Sequence, residues 1–457
     1  MTCKPSHACR RIAPLLGALA FLGIGEACAG EAGALRWTGT LEAFGDAFFD
    51  DPAQTVRQRD DVIAWSRLSL EASYTPDPSI SFDLGAYAAG STPDLMARTW
   101  GEAFQADEAA NFDLTRANVR WRGTGFDLVV GKAPLKLGYG DLYSPANRFE
   151  PHDYANPLHD FSMGLWQATA SVYLGDDRLS LSVLPADERP RRGDDESRWS
   201  TGAGNTSFFD LSALPAIPGP VDLRVDTAFR SLEPEDWGAL LTYTGRRQAF
   251  DFYLGAHVGA AAYPVLRGRA LLPPPVPGAA TTIVGDQELL DTASALGGIV
   301  IARERYKLYA DAVWQHTPSD KDDDFLRYLL GAQFRLVPLE RWLAVEEARA
   351  TLEYAGDVRT RKADTTDPIL VSRFGRPYAN YALWELRLIV DRWLQLYGKG
   401  AANVYEGDAA GLVGFDYLLT DDLTVKGAVY LFAGDADTQF GLWRDNDGAY
   451  LGLELRF

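Results

Sequence analysis

The sequence predicts an all-β fold: a transmembrane antiparallel up-and-down β-barrel of about 18 strands (16–18), with short periplasmic turns and long external loops. Three observations predict it. Apolar and polar residues alternate with a period of two in run after run. Short joints and long polar joints follow one another along the chain with few exceptions. Beyond residue 29, no apolar run approaches the ~18 residues that a membrane helix needs.

The N-terminus places the chain outside the cytoplasm. Lys4, Arg10 and Arg11 precede an apolar run at 12–25, and Ala27-Cys28-Ala29 follows as a small-x-small cleavage site. That order is the layout of a secretory signal peptide, so residues 1–29 are expected to be removed and 30–457 to form one barrel domain. The three cysteines, Cys3, Cys9 and Cys28, all fall in the removed segment. The remaining chain then has neither disulfides nor thiolate metal sites, and burial or backbone pairing must hold it. Its 41 basic residues against 62 acidic ones leave a net charge of −21, which argues against a nucleic-acid partner.

The strands read directly from the alternation. In ISFDLGAYA (80–88), Ile80, Phe82, Leu84, Ala86 and Ala88 share one face, with Ser81, Asp83, Gly85 and Tyr87 on the other. LWQATASVYL (165–174) sets Trp166, Ala168, Ala170, Val172 and Leu174 against Gln167, Thr169, Ser171 and Tyr173. Segments 249–258, 305–314, 326–336 and 381–390 repeat the scheme. Taken in order, strands are predicted near 35–45, 62–75, 79–89, 112–122, 126–132, 164–174, 178–184, 236–245 and 248–259. The second half continues at 292–302, 305–315, 325–336, 346–356, 380–390, 393–403, 409–419, 423–433 and 447–457. The longest are about 10 to 12 residues, close to the length that crosses a bilayer at a tilt.

Tight joints at 76–78, 123–125, 175–177, 246–247, 303–304, 391–392 and 420–422, with a longer one at 337–345, are the expected periplasmic turns. Polar, Gly- and Pro-rich stretches near 46–61, 90–111, 133–163, 185–235, 260–291, 316–324, 357–379 and 434–446 are the expected external loops. A soluble sandwich or propeller also alternates, but does not predict this rhythm. Trp37, Trp65, Tyr74, Trp121, Trp166, Trp314, Tyr328, Tyr354, Trp384 and Tyr417 fall toward strand ends on the apolar face, as interfacial girdles require.

The final strand, GAYLGLELRF, puts Ala449, Leu451, Leu453, Leu455 and Phe457 on one face and stops in mid-strand. In a closed barrel its partner is 35–44, so neither strand has a free edge. This terminal pattern resembles the signal by which the barrel-assembly machinery recognises Gram-negative outer-membrane proteins, with Leu453, Leu455 and Phe457 as its readable residues. Strand number and size are similar to those of porins and alginate-export-type channels. The resemblance implies an outer-membrane location, with lipid and lipopolysaccharide around the wall. No plug domain is expected before the first strand, unlike TonB-dependent transporters.

With the apolar face toward lipid, the other face lines the interior. It carries Arg67, Arg116, Arg120, Arg122, Arg327, Arg335, Arg349, Arg387, Lys307, Lys399 and Lys426, together with Glu71, Asp83, Asp127, Asp251, Asp311, Glu353, Glu385, Asp416 and Glu454. Two readings stay open. The guanidiniums form a ladder of weak sites for anions, or they pair across the wall with the acids. The loop 133–163 is the candidate constriction, with Lys136, Tyr139, Tyr143, Arg148 and His152 among its polar and aromatic residues. Its Leu135, Leu137 and Phe149 are too apolar to wave in water, so it folds into the lumen or onto the external rim.

His152-Asp153 and His159-Asp160 lack a third ligand for a metal site, DNDG (445–448) reads as a turn, and DKDDD (320–324) as a solvated loop tip. There is no GxSxG, P-loop or HExxH motif, so no enzyme and no cofactor are expected. The leading function is a passive channel for small polar or anionic solutes. Export of an acidic exopolysaccharide with a periplasmic partner, and a plugged barrel acting as a structural or partner-binding platform, are the alternatives. The wall shows no flattened or unusually apolar sector, which favours a monomer over a trimer.

Overall fold

The computed structural model describes residues 33, 35–50, 60–92, 110–154, 156–185, 191–192, 198–199, 209–210, 221–226, 234–262, 265–271, 281–364, 369–372 and 376–457. The expected signal peptide lies outside them. Eighteen strands form one sheet: β1 (Leu35–Phe48), β2 (Val62–Asp77), β3 (Ile80–Thr92), β4 (Ala110–Gly123), β5 (Phe126–Ala133) and β6 (Leu165–Leu174) open it. The next six are β7 (Asp177–Leu184), β8 (Gly238–Arg246), β9 (Asp251–Ala260), β10 (Asp291–Ala302), β11 (Tyr306–His316) and β12 (Asp324–Arg335). A short helix, α1 (Val337–Leu343), precedes β13 (Glu347–Arg361). Then come β14 (Tyr381–Ile389), β15 (Leu394–Asn403), β16 (Ala409–Leu418), β17 (Leu423–Ala433) and β18 (Gly448–Arg456).

Every strand pairs antiparallel with its neighbours in sequence, and β1 pairs with β18 from Thr40↔Arg456 to Phe48↔Gly448, so the sheet closes. Closure is what makes a spanning sheet tolerable in lipid, because no row of N–H and C=O groups is left without a partner. Strands run longer than the alternation suggested: β2 reaches 16 residues. The period of two continues past the bilayer boundary into the loop bases, where sequence no longer marks an end.

Both faces follow from the pleat. Large apolar side chains stand out from the wall all round it, among them Leu254, Leu330, Leu352, Val413 and Leu453. Such a continuous apolar belt belongs against acyl chains rather than water. Tyr74, Trp121, Trp314, Trp384 and Tyr417 are exposed at its edges, as the girdle reading expects. Trp65 corrects that reading. It is 5 % exposed and shares the interior face with Ile63 and Arg67, packing against Phe44.

The reason is that the lumen changes character along its height. Three apolar clusters occupy the interior, two toward the long-loop end and a third that reaches down to Val300 and Tyr309 near the short turns. One joins Phe44, Trp65, Tyr87, Tyr430 and Tyr450 of the wall to Met163 and Trp199 of loops. The second gathers Leu165, Leu240 and Val313 around Ala146 and Phe149. The third sets Phe440 edge-on to Tyr381 at 5.6 Å and includes Leu329 and Tyr309. Outside the wall, strands at Phe209–Asp210, Val221–Asp226, Val265–Leu271, Thr281–Glu288 and Ile369–Ser372 form a separate five-stranded sheet, built from three of the long joints.

The seam between β18 and β1 ends on Phe457. Its backbone exchanges hydrogen bonds with Gly39 (2.7 and 3.0 Å), and its ring meets Trp37 edge-on at 6.0 Å. A Cβ on Gly39 would run into that ring, so glycine is required for the fit. Phe457→Ala should therefore destabilise the barrel by about 1–3 kcal/mol through lost ring contacts. Urea unfolding of the bilayer-inserted protein checks this, and an unchanged midpoint would show that the ring contributes nothing to the seam.

Candidate functional site

The segment between β5 and β6 (134–164) does not stand outside the barrel; it crosses the interior and is fastened to opposite walls. The first fastening is made of backbone. Tyr139 and Gly140 donate their N–H groups to the carboxylate of Asp311 on β11 at 2.8 and 3.0 Å. Asp141, Leu142 and Tyr143 donate theirs to Glu353 on β13 at 2.7, 3.0 and 3.0 Å. Each carboxylate also accepts a wall phenol, Tyr253 on Asp311 and Tyr309 on Glu353. Lys307 completes the cradle, donating to the Tyr139 carbonyl (2.9 Å) and to Asp141 (2.7 Å).

The local sequence LGYGDLYSP explains why this stretch can wrap two carboxylates. Gly138 sits at φ +91°, and a Cβ on Gly140 would strike the Tyr143 carbonyl oxygen and Leu329. Successive N–H groups turned to one side make an anion cradle, here filled by the protein's own acids. After it, Ser144 caps the turn Pro145–Phe149 by accepting from Ala146 N–H.

Further along, the segment is held by side chains. Arg148 donates to Ser294, Gln315 and the Ala260 carbonyl (3.0, 3.0 and 3.1 Å), which ties it to β9, β10 and β11. On the far side, Tyr87 of β3 donates to Asp153 at 3.0 Å. Asn156 donates to the fully buried Asp46 of β1 (2.9 Å), with His159 Nε2 at 3.4 Å from the same carboxylate. The His159 ring stacks on Phe44 at 3.9 Å. The histidine pairs suggested by adjacency are thus regrouped: His152 faces Asp160 (3.1 Å), and His159 faces Asp46. Among the described residues no His, Cys, Asp and Glu gather as a metal site. Lys136 is exposed at the start of the segment.

The basic residues of the interior divide into two populations. Arg67 and Arg327 are buried and engaged. Arg67 donates to Glu42 (2.9 Å) and lies 4.0 Å over Phe161, while Arg327 donates to the Tyr143 hydroxyl and the Pro377 carbonyl. Arg116 and Arg120 are partly buried, and Arg122 is exposed opposite Asp127.

Toward the short-turn end, Arg335, Arg349 and Arg387 stand in direct register on β12, β13 and β14. Like charges in register repel. Each guanidinium is matched by its own carboxylate: Glu340 (2.8 Å), Glu347 and Glu385 (2.8 Å). Each still has 45 % of its side chain exposed, leaving donors of its fork toward water. Lys399, exposed, faces Glu385 across the β14–β15 pair.

Glu340 lies on α1, outside the wall. Its hydrogen bond from Arg335 holds its carboxyl below the ordinary carboxylate value, with support from the Ala348 N–H. A depressed acid is tied at neutral pH and loosens only as pH falls through its lowered value. The acidic run at 320–324 is likewise engaged rather than a bare tip: Arg361 holds Asp320 and Asp324, and Arg359 meets Asp323.

No family model and no curated protein matches the chain. Solved structures do. OccAB3 of Acinetobacter baumannii superposes with a TM-score of 0.51 at 10% identity, covering 93% of this chain and 99% of that one. OccAB4 of the same organism gives 0.50 at 10% identity, covering 93% and 97%. At that identity the likeness is one of fold: the chain is a closed 18-stranded porin-like barrel.

Asp311 and Glu353 were legible as lumen-facing acids, but nothing in their own strands marks them as acceptors for a distant loop. The available signal is the paired glycines of 138–140 within an apolar loop. Glu353→Ala should strand three loop N–H groups and the Tyr309 hydroxyl, at about 1–3 kcal/mol for each group left unsatisfied. The expected result is new tryptic cleavage after Lys136 and Arg148 in the folded protein. Unchanged protection would mean that the cradle does not hold the segment.

Proposed function

We propose that the chain is a passive outer-membrane channel for small polar or anionic solutes, with residues 133–163 as its constriction and no catalytic role. The observation that carries this reading is the pairing of a loop fastened across the lumen with water-facing guanidiniums below it. Arg335, Arg349, Arg387 and Lys399 offer weak, successive contacts to carboxylate or phosphate groups, which suits passage better than tight binding. Arg67 and Arg327 are not part of that path in this reading; they serve packing. Residues 1–29 direct secretion, and Leu453, Leu455 and Phe457 present the assembly signal to the barrel-assembly machinery.

A second reading has its own support. The apolar clusters of the interior are what a plugged barrel would contain, and a plug would turn the protein into a platform. Conductance separates the two. Export of an acidic exopolysaccharide is a variant of the channel reading, tested by adding such a polymer to the same bilayer and looking for block.

Charge partition sharpens the test. The nine connections on the long-loop side contain 36 acidic and 18 basic residues, whereas the eighteen strands contain 18 of each. The wall is thus balanced and the external mouth strongly acidic. Screening decides which one an ion feels, since the Debye length is about 3 Å at 1 M salt and about 30 Å at 0.01 M. Reversal potentials across a planar bilayer should show weak anion preference at high salt that shifts toward cations as salt is lowered. Replacing Arg335, Arg349 and Arg387 by Gln should reduce the high-salt anion preference by roughly twofold. A silent bilayer would favour the plug, and cation preference at every salt concentration, unmoved by the triple variant, would remove the anion sites from the proposal.

A further inference from the structure

Two connections on the short-turn side repeat one pattern, an acid followed by Arg, Trp and Leu. It reads Glu340-Arg341-Trp342-Leu343 in α1 and Asp391-Arg392-Trp393-Leu394 between β14 and β15. The other six short connections contain no tryptophan. Because β13 pairs with both β12 and β14, the two copies are neighbours on the rim. The Glu346 N–H donates to the Ile389 carbonyl at 2.9 Å, which joins one connection to the strand that leads into the other. In both copies the acid is engaged within the turn. Glu340 accepts from Arg335 (2.8 Å) and from the Ala348 N–H (3.2 Å). Asp391 accepts from the N–H groups of Trp393 and Leu394 at 2.7 and 2.9 Å.

The guanidiniums are left over. Arg341 and Arg392 are exposed, and neither makes an ion pair with a carboxylate among the described residues. Arg392 lies 4.0 Å over the Trp393 ring, which holds one cation against one indole. Trp342 is 79 % exposed, the highest value among the large apolar side chains described, and Leu343 beside it is partly exposed. Burial of so bare an indole is favourable, and lipid is at hand. The strands that α1 joins carry Phe334 and Leu352 exposed in the lipid belt, so α1 lies where that belt meets water. Tryptophan favours that depth, and an unneutralised guanidinium next to it suits a lipid phosphate. Glu346, exposed on the same rim, supplies the opposite sign for an ethanolamine ammonium. We propose that the two turns form a paired foot that seats phospholipid headgroups of the periplasmic leaflet, with Arg341 and Arg392 on the phosphates and the two indoles at the interface. The foot goes beyond the channel reading and needs no open lumen, so its test does not depend on conduction.

Residues 30–457 contain no cysteine, so one introduced thiol can carry a fluorescent reporter. Leu343→Cys places bimane beside the first Arg–Trp pair. Asp176→Cys, exposed in the short turn between β6 and β7, gives the same rim without the pattern. The full mature protein would be inserted into vesicles of phosphatidylethanolamine and phosphatidylglycerol, doped with lipid spin-labelled either at the headgroup or at the chain end. The foot predicts that bimane at 343 emits at shorter wavelength than at 176 and is quenched about twofold more by the headgroup-labelled lipid. Adding Arg341→Gln and Arg392→Gln should lower that quenching toward the level at 176, since each lost arginine weakens phosphate contact by roughly fivefold. Equal, water-like emission at the two positions overturns the foot and leaves the rim to a periplasmic protein. Quenching unmoved by the double arginine variant overturns the phosphate seats. Should Leu343→Cys not fold, Trp342→Cys carries the same reporter at the more exposed neighbouring position.

Discussion

Everything in this molecule follows from the constraint that a sheet in lipid cannot have an edge. Water is absent on one side of the wall, so each backbone N–H and C=O must find its partner along the ladder. Pairing Thr40 with Arg456 and Ala47 with Ala449 meets that demand at the seam. Once the ring is shut, the pleat sends alternate residues to lipid and to lumen. Side-chain chemistry on each face is then dictated by what that face meets. The lipid face needs only size and apolarity. The lumen face must supply whatever the enclosed space contains.

That space contains chain as well as water, and chain inside a barrel restates the backbone problem. The solution divides by sign. Wall carboxylates take the N–H groups: Asp311 and Glu353 hold five between them. Cationic side chains take the carbonyls, Lys307 at Tyr139, Arg148 at Ala260, Arg198 at Asp50, Asp60 and Asp445, and Arg327 at Pro377. A charged group meeting several backbone partners is worth more than a neutral one, and a buried charge left alone would be costly. Much of the interior charge that invites a transport reading is thus employed in holding loops.

This also explains what could and could not be read from the residues. The strands were legible because lipid on one side and polar contents on the other enforce a period of two over most of each strand's length. The ends of β1 and β2 were underestimated, and the five strands of the separate sheet were missed because they lie in Gly- and Pro-rich stretches that read as loops. Trp65 was assigned to the lipid face on the assumption that lumen positions are polar. At the long-loop end, Phe44, Tyr87 and Tyr450 show the opposite, because inserted loops make the interior a protein core. The constriction candidate could be recognised from its apolar content, while its fastenings could not. Asp46, Asp311 and Glu353 lie in strands more than 85 residues away from the segment they hold or across the ring from it, and local pattern carries no trace of such pairs. Arg198 sits in a polar stretch that composition alone marks as loop.

Separating employed charge from available charge locates the part of the lumen that a solute would feel. At the long-loop end Arg67, Arg148, Arg198 and Arg327 are buried or engaged by carbonyls, hydroxyls and carboxylates, beside clusters of aromatic and aliphatic side chains. Toward the short turns the inserted segment still reaches Lys307 and Gln333 through Asp141, and beside it the wall carries acid and base together, with Arg335, Arg349 and Arg387 each keeping nearly half of the side chain exposed. Among the described residues the guanidiniums are therefore divided between holding loops and facing the space near the short turns. Under the proposed channel reading, selection by charge has two separate places to act, the acidic long-loop connections and the mixed wall toward the short turns. Between them lie loops held by a few carboxylates and guanidiniums, and under that reading the strength of the hold, more than the count of arginines, governs passage.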